Sequence, residues 1–288
     1  MSRSIILVLH PSRPEAHRLA SEVVEKLAKE DIAVWSATEI DLAGVERKSN
    51  QEILSSIKKH ELVLVLGGDG TILRGAEIAH GTDIPVLGIN LGHVGFLAQI
   101  KKPSVNELVM AIKNRSYKFE KRMTLAYKVL RSDSVVAQGW ALNEVTVERS
   151  TEAMIELFVQ VDHRPLSRWG CDGVICATPT GSTAYAFSAG GPVVWPDVEA
   201  LVLLPLAAHA LFSDPMVVSP DSEIAIDVES ETGVLSADGL RKFQILEGDR
   251  VLLTTEKLFI SLAHLEDVAF TDRLVAKFRL PVDGWRGE

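Results

Sequence analysis

Over the first 120 residues, short uniform apolar runs alternate with stretches whose apolar positions recur every three or four residues. Ser4–Leu9, Ile32–Ser36, Leu62–Leu66 and Ile84–Ile89 are the runs, the pattern of strands buried on both faces. Between them, Glu15–Lys29 places Leu19, Ala20, Val23, Val24, Leu27 and Ala28 at helical spacing. Asn50–His60 reads as a short helix with Ile53, Leu54 and Ile57 on one face, and a further helix runs from Thr71 to about His80. Ser104 with Glu107 forms a capping box for a helix over Val105–Asn114. Residues 38–48 are polar and show no period. This alternation predicts a parallel sheet with helices on its faces, whose ligands bind at the carboxyl ends of the strands.

The pattern changes near Tyr117. Met123–Arg131, Gln138–Glu148, Ile155–Val161, Asp172–Ala177, Met216–Val218, Glu223–Val228, Gly233–Ala237 and Val251–Thr255 alternate or are β-branched, and they predict strands. Gly190–Leu211 fits neither period cleanly. Asp272–Leu280 is amphipathic, with Leu274, Val275 and Phe278 on one side and Arg273, Lys277 and Arg279 elsewhere. The expected fold is therefore an α/β N-terminal domain with a parallel sheet over residues 1–120, then a β-rich domain over 121–271. The segment 272–288 is expected to form a helix that packs back on the first domain.

The strand Leu62–Leu66 runs through Gly67, Gly68, Asp69 and Gly70 into the helix that Thr71 opens. Such a turn offers free backbone N–H groups to a phosphate, and glycine lets the backbone come close. A carboxylate at Asp69 would repel phosphate unless it handles a metal ion or takes a proton from a hydroxyl. That combination points to phosphoryl transfer; a plain strand-to-helix turn is the other reading. A second glycine-rich loop, Asn90–Leu97, falls at another strand end. Its Phe96 is expected in the core and its His93 in a simple connection, which leaves Asn90 as the ligand candidate.

Composition narrows the classes. The chain has 288 residues, 47% of them hydrophobic and 24% charged, with a net charge of −9, an ordinary globular balance that disfavours nucleic acid and acidic membranes as partners. The two cysteines, Cys171 and Cys176, suit neither a disulfide framework nor a zinc knuckle. A cytoplasmic location is expected. The run Ala200–Phe212 is interrupted by Pro205 and His209 and is too short to span a bilayer.

Two further constellations lie in the second half. Asn143-Glu144 sits within an apolar-alternating segment. Glu144 could accept two hydrogen bonds from a vicinal diol such as a ribose, and Asn143 could donate and accept; a strand end facing water would explain the pair as well. The stretch Thr178–Pro192 (TPTGSTAYAFSAGGP) concentrates hydroxyls and backbone donors. It suits the sugar and phosphate parts of a nucleotide, with Tyr185 placed to stack on a base; a Thr/Ser/Gly loop in a β domain is the alternative. No Gly-x-Ser-x-Gly elbow, Walker A motif or GxGxxG fingerprint is present.

Taken in order and spacing, Gly67–Gly70, Asn143-Glu144 and Thr178–Pro192 resemble the NAD kinases over essentially the whole chain. Trp169–Gly173, His209–Pro220 and Phe270–Gly287 are most similar to the actinobacterial members, ATP/polyphosphate-dependent NAD kinases in that some of them accept inorganic polyphosphate as well as ATP. The resemblance implies the two-domain fold shared with diacylglycerol kinases. It also implies transfer of a phosphoryl group from ATP, or from inorganic polyphosphate, to the 2′-hydroxyl of the adenosine ribose of NAD. A divalent metal, Mg2+ by expectation, would assist. Matched to the family motif, Asp69 is the proton acceptor and, with Gly70 and Arg74, lies at the substrate. Asn143, Glu144, Asp172, Thr183, Ala184, Tyr185 and Ser188 become NAD ligands, with Thr180, Ser182 and Ala207 beside them. Gly67, Gly68 and Gly70 become phosphate contacts. The resemblance further implies a homodimer or homotetramer.

The chain departs from the family where a basic residue is frequent: Gly170 and Ala153 stand there, with Arg168 nearby, and Leu240 follows the Asp238-Gly239 pair. A lipid kinase of the diacylglycerol or sphingosine type would share Gly67–Gly70 but not the Thr178–Pro192 loop. A non-catalytic NAD sensor would gain nothing from Asp69.

Overall fold

A computed structural model describes residues 3–36, 42–92, 95–98, 102–267 and 269–282. The chain divides into two compact units, one made of Met1–Lys121 with Ile260–Glu288 and the other of Arg122–Phe259.

The first unit is an α/β layer structure. Its elements are β1 (Arg3–Leu9), α1 (Pro14–Ala28), β2 (Ile32–Ser36), β3 (Val45–Arg47), α2 (Asn50–Ser55), β4 (Val63–Leu66), α3 (Asp69–Ala79), β5 (Val86–Ile89) and α4 (Val105–Asn114). All their strand pairings are parallel, in the order β5-β4-β1-β2-β3. Every residue of β4 and β5 is buried, as uniform apolar runs require. Helix α1 buries Ala16, Leu19, Ala20, Val23, Val24 and Leu27, the stripe its period predicts. Both reciprocal bonds of the capping box at Ser104 and Glu107 form. Helix α2 is shorter than expected: it stops at Ser55 and gives way to a 3-10 turn over Ile57–Lys59. Leu54, expected on its buried face, is half exposed.

The second unit is antiparallel. Its strands are β6 (Lys118–Arg131), β7 (Ser134–Ala141), β8 (Glu144–Arg149), β9 (Ile155–Val161), β10 (Arg164–Cys171), β11 (Gly173–Ala177), β12 (Leu201–Leu206), β13 (Met216–Val218), β14 (Ile224–Val228), β15 (Gly233–Ala237), β16 (Arg241–Ile245) and β17 (Arg250–His264). One sheet carries β10-β9-β14-β17 and the β6–β7 hairpin; the other has the order β13-β12-β11-β8-β15-β16. Apolar side chains from both, among them Leu157 and Ile226 of the first and Val147 and Val174 of the second, share one core with the buried Trp169.

Three readings of this half need correction. The single strand expected over Gln138–Glu148 is broken at Leu142-Asn143, because the Asp238 carboxylate accepts their backbone N–H groups at 2.9 and 2.7 Å. The unassigned stretch Gly190–Leu211 contains a buried strand, β12. Its Pro205 lies beyond Leu201–Leu203, the residues paired with β13, where it interrupts no ladder on that side. Strand β10 was not expected at all. It closes a hairpin on β9 through Asp162 and His163, both at positive φ, a two-residue turn without the glycine that usually announces one.

Strand β17 is far longer than Val251–Thr255, and its end joins the first unit: Leu262 and Ala263 pair parallel with β5. Helix α6 (Phe270–Phe278) follows. The final part of the motif Phe270–Gly287, residues 283–287, lies outside the described residues, as does His93. Among the described residues no helix is long and apolar enough to cross a membrane.

Candidate active site

In the first unit, β4 ends at Leu66 and Gly67 spends its N–H on the carbonyl of Ile89 at 3.0 Å. Gly67 is buried, and a Cβ there would stand 2.4 Å from Thr71 Oγ1. This glycine therefore serves the turn, and its N–H is not offered to a phosphate. Gly68 and Gly70 differ, because a Cβ on either meets nothing within 4 Å. Their backbone faces open space at the start of α3, where helix N–H groups lack intrahelical partners.

Asp69 is the first residue of α3, capped by Gly68. Its Oδ2 accepts from the Phe96 N–H at 2.9 Å and its Oδ1 from the Leu97 N–H at 3.2 Å. Gly95 completes this cradle, for a Cβ at that position would lie 2.1 Å from Asp69 Oδ1. The second glycine loop thus serves to orient Asp69, a role its sequence did not disclose. Phe96 is buried, as expected, with its ring 5.8 Å from those of Phe270 and Phe278. Asn90 accepts from the Gly92 N–H at 3.0 Å, a side-chain turn that shapes the loop. Arg74 is exposed on α3.

In the second unit, the kink between β7 and β8 turns Asn143 and Glu144 inward, and both are buried. The reading of the pair as a strand end facing water is excluded. Gly181 packs directly on this kink: a Cβ there would stand 2.0 Å from the Asn143 carbonyl oxygen. Thr178 fixes the contact from the other side: its N–H and Oγ1 donate to the carbonyls of Asn143 and Leu142 at 2.8 and 2.6 Å, and the same Oγ1 accepts from the Gly181 N–H at 3.2 Å. Glu144 Oε2 is buried without a hydrogen-bond partner. Burial, reinforced by the nearby Asp238 carboxylate, pushes the Glu144 pKa up to about 8, against the backbone N–H of Tyr185, which favours the anion. An orphaned buried carboxylate oxygen costs free energy unless a ligand satisfies it.

The remaining loop residues fall into two groups. Ser182 is fully buried; its Oγ donates toward the carbonyls of Pro179 and Val194 and accepts from the Val194 N–H. That hydroxyl is engaged in holding the loop. Thr180 is buried as well and accepts from Arg122 Nη1 at 3.3 Å. Tyr185 and Ser188, on the short helix α5 (Tyr185–Ser188), are exposed, while Thr183 and Ala184 are partly so. The Tyr185 hydroxyl lies 3.5 Å from Glu148 Oε2. Asp172 is partly exposed and pairs with Arg149 at 2.6 Å. Ala207 is exposed, with φ of +46°. Arg168 is committed to Glu229 at 2.9 Å and stacks on Phe158.

Asp238, whose role the sequence left open, is a buried support of the kink. Besides Leu142 and Asn143 it engages Arg241 Nη2 at 2.8 Å, and Arg241 lies over the Trp140 ring. Its position at positive φ beside Gly239 marks a tight turn, and the Asp-Gly pair was the available signal.

Two family descriptions match this chain: the ATP-NAD kinase N-terminal domain over residues 5–117 and the ATP-NAD kinase C-terminal domain over 142–260. Among similar proteins, an NAD kinase of Thermobifida fusca is 46% identical over 99% of this chain and 92% of its own length. NAD kinase 2 of Streptomyces avermitilis is 45% identical over 99% and 97%. An NAD kinase from Archaeoglobus fulgidus, solved in complex with ATP, superposes with a TM-score of 0.72 at 26% identity over 96% of this chain and 98% of that one. A yeast NADH kinase solved with NADH shares the fold, with a TM-score of 0.87 at 24% identity over 99% and 90%. Both halves of the sequence, and the α/β and antiparallel layers they build, place this chain in the NAD kinase family.

Proposed function

We propose that this chain transfers the γ-phosphoryl group of ATP to the 2′-hydroxyl of the adenosine ribose of NAD, giving NADP and ADP. The observation that carries the reading is Asp69: a carboxylate at the head of α3, beside the open faces of Gly68 and Gly70, held by two backbone N–H groups. Two of its roughly four lone-pair sites remain for a substrate proton. A ribose hydroxyl is a weak nucleophile near neutral pH, and a positioned base removes its proton as the bond to phosphorus forms.

Gly68 and Gly70 hold donor phosphate through the backbone, and Arg74 adds charge. In the second unit, Glu144 and Asn143 take ribose hydroxyls of the dinucleotide. Tyr185 lends its exposed ring to a base, Ser188, Thr183, Ala184 and Ala207 line the dinucleotide, and Asp172 contacts the adenine side. Thr180 and Ser182 act by shaping that loop.

No group of three or more His, Cys, Asp or Glu side chains that could cage a metal exists among the described residues. A magnesium ion would come with the triphosphate, in the usual manner of Mg2+ at nucleotide sites, and Asp69 is the carboxylate nearest the open backbone of Gly68 and Gly70. Exposed apolar residues on the second unit, Leu211, Phe212 and Val217 among them, support assembly into homo-oligomers. Neither a lipid kinase nor a passive sensor is favoured by any observation.

The test is Asp69→Asn. NAD binding, read by calorimetry, should persist while turnover falls roughly 10²–10⁴-fold, the usual contribution of a general base. Near-full turnover in the folded variant sinks the assignment.

A further inference from the structure

The cradle of Asp69 is itself gripped from behind by the chain's last helix. Arg273 of α6 is 2% exposed although its helix is amphipathic and lies at the surface of its unit. A guanidinium so placed must be satisfied by partners. Its Nη1 donates to the Ala98 carbonyl at 2.5 Å and the Phe96 carbonyl at 3.3 Å. Its Nη2 lies 3.3 Å from His264 Nδ1, and His264 Nε2 lies 2.9 Å from Glu120 Oε2. The sequence pattern set Arg273 away from the apolar side of this helix, and its burial is not visible in that pattern.

The geometry has a direct bearing on Asp69. The Phe96 carbonyl and the Leu97 N–H belong to one planar peptide unit. A donor that fixes the direction of that carbonyl also fixes the direction of the N–H, which is aimed at Asp69 Oδ1. The rings of Phe270 and Phe278, one at each end of α6, flank Phe96 and keep the helix in register with the turn.

We infer that Arg273 is a positioning residue for Asp69: it orients the Phe96–Leu97 peptide, which in turn holds the carboxylate at the angle needed to take the ribose proton. This rests on the reading of Asp69 as the base. The planar fork of arginine suits the task, since its donors point in fixed directions, whereas a lysine ammonium is a rotatable point charge. No contact of Arg273 with substrate is required, so its loss should appear in kcat and not in KM.

The experiment uses the full chain with NAD, ATP and magnesium, and compares Arg273→Met, Arg273→Lys, Asp69→Asn and the double variant Asp69→Asn/Arg273→Met. Circular dichroism checks folding, and hydrogen exchange reads the Leu97 amide. Arg273→Met should lower kcat about 10–100-fold, the scale of a misplacement near 1 Å, with both KM values within about threefold. Arg273→Lys should recover part of kcat. The double variant should be no slower than Asp69→Asn, and Leu97 protection should fall in both Arg273 variants.

Unchanged kcat in Arg273→Met, or a full further loss on top of Asp69→Asn, overturns the positioning role while leaving the base assignment intact. Near-full kcat in Asp69→Asn overturns both. Should Arg273→Met fail to fold, Arg273→Lys decides: full kcat with unaltered Leu97 protection overturns the inference, and a kcat loss at constant KM supports it.

Discussion

Glu144 should impose a pH dependence on NAD binding. Its carboxyl is buried, one oxygen has no partner, and its pKa stands at about 8 because burial and the Asp238 charge oppose ionisation. The ionised form accepts two hydroxyl hydrogen bonds, whereas the protonated form must turn one oxygen into a donor. If the ionised form is the one that binds, affinity tracks its population. NAD should then bind about tenfold more tightly at pH 9 than at pH 7, with the gain levelling off above about pH 8. Glu144→Gln removes the titration, so its affinity should be weaker and flat across that range. Calorimetry in two buffers of different ionisation enthalpy reads both the affinity and the proton released on binding.

Stability carries the same signature with a definite sign. The native state keeps a proton on Glu144 that the unfolded chain sheds above about 4.5, its ordinary value. Burial of this carboxyl therefore costs nothing extra below about pH 4.5. The cost grows as pH rises and saturates above about 8, at roughly 5 kcal/mol from the difference between the two pKa values. Glu144→Gln should gain stability relative to the parent over that window. A pH-independent affinity in the parent protein, or the same dependence surviving in Glu144→Gln, refutes the reasoning.

Two other substitutions test the supports of the site. Asp238→Asn puts an amide against two backbone N–H donors and the Arg241 guanidinium; it should cost roughly 2–5 kcal/mol in urea unfolding and weaken NAD binding with it. Gly95→Ala would set a methyl 2.1 Å from Asp69 Oδ1; kcat should fall at least about tenfold while NAD affinity holds within about threefold, which steady-state kinetics and calorimetry check together.

The parallel sheet was legible because β1, β4 and β5 carry uniform apolar runs and α1 a regular stripe, so period alone separates them. The break between β7 and β8 was not, because its cause is Asp238, a residue 95 positions from Asn143. Strand β10 and the hairpin of β6 and β7 were hidden or blurred by turns at Asp162-His163 and Ser132-Asp133, which take positive φ without glycine. Likewise, Asn143 and Glu144 stood out because polar groups interrupt an apolar pattern, and Asp69 because a carboxylate stands among glycines. Their supports did not: Gly95 and Arg273 act on Asp69 through backbone groups of Phe96, Leu97 and Ala98, and contacts of that range leave no periodic trace. The internal bonds of Ser182, whose hydroxyl holds its own loop, were equally invisible in the sequence.

Phosphorylation of NAD is measured most directly by incubating the purified protein with NAD, ATP and magnesium and detecting NADP with an NADP-specific dehydrogenase, with polyphosphate as donor in a parallel reaction. The proposed function predicts NADP formed from ATP in step with ADP, and lost in Asp69→Asn. Folded protein that binds NAD yet forms no NADP from either donor contradicts it.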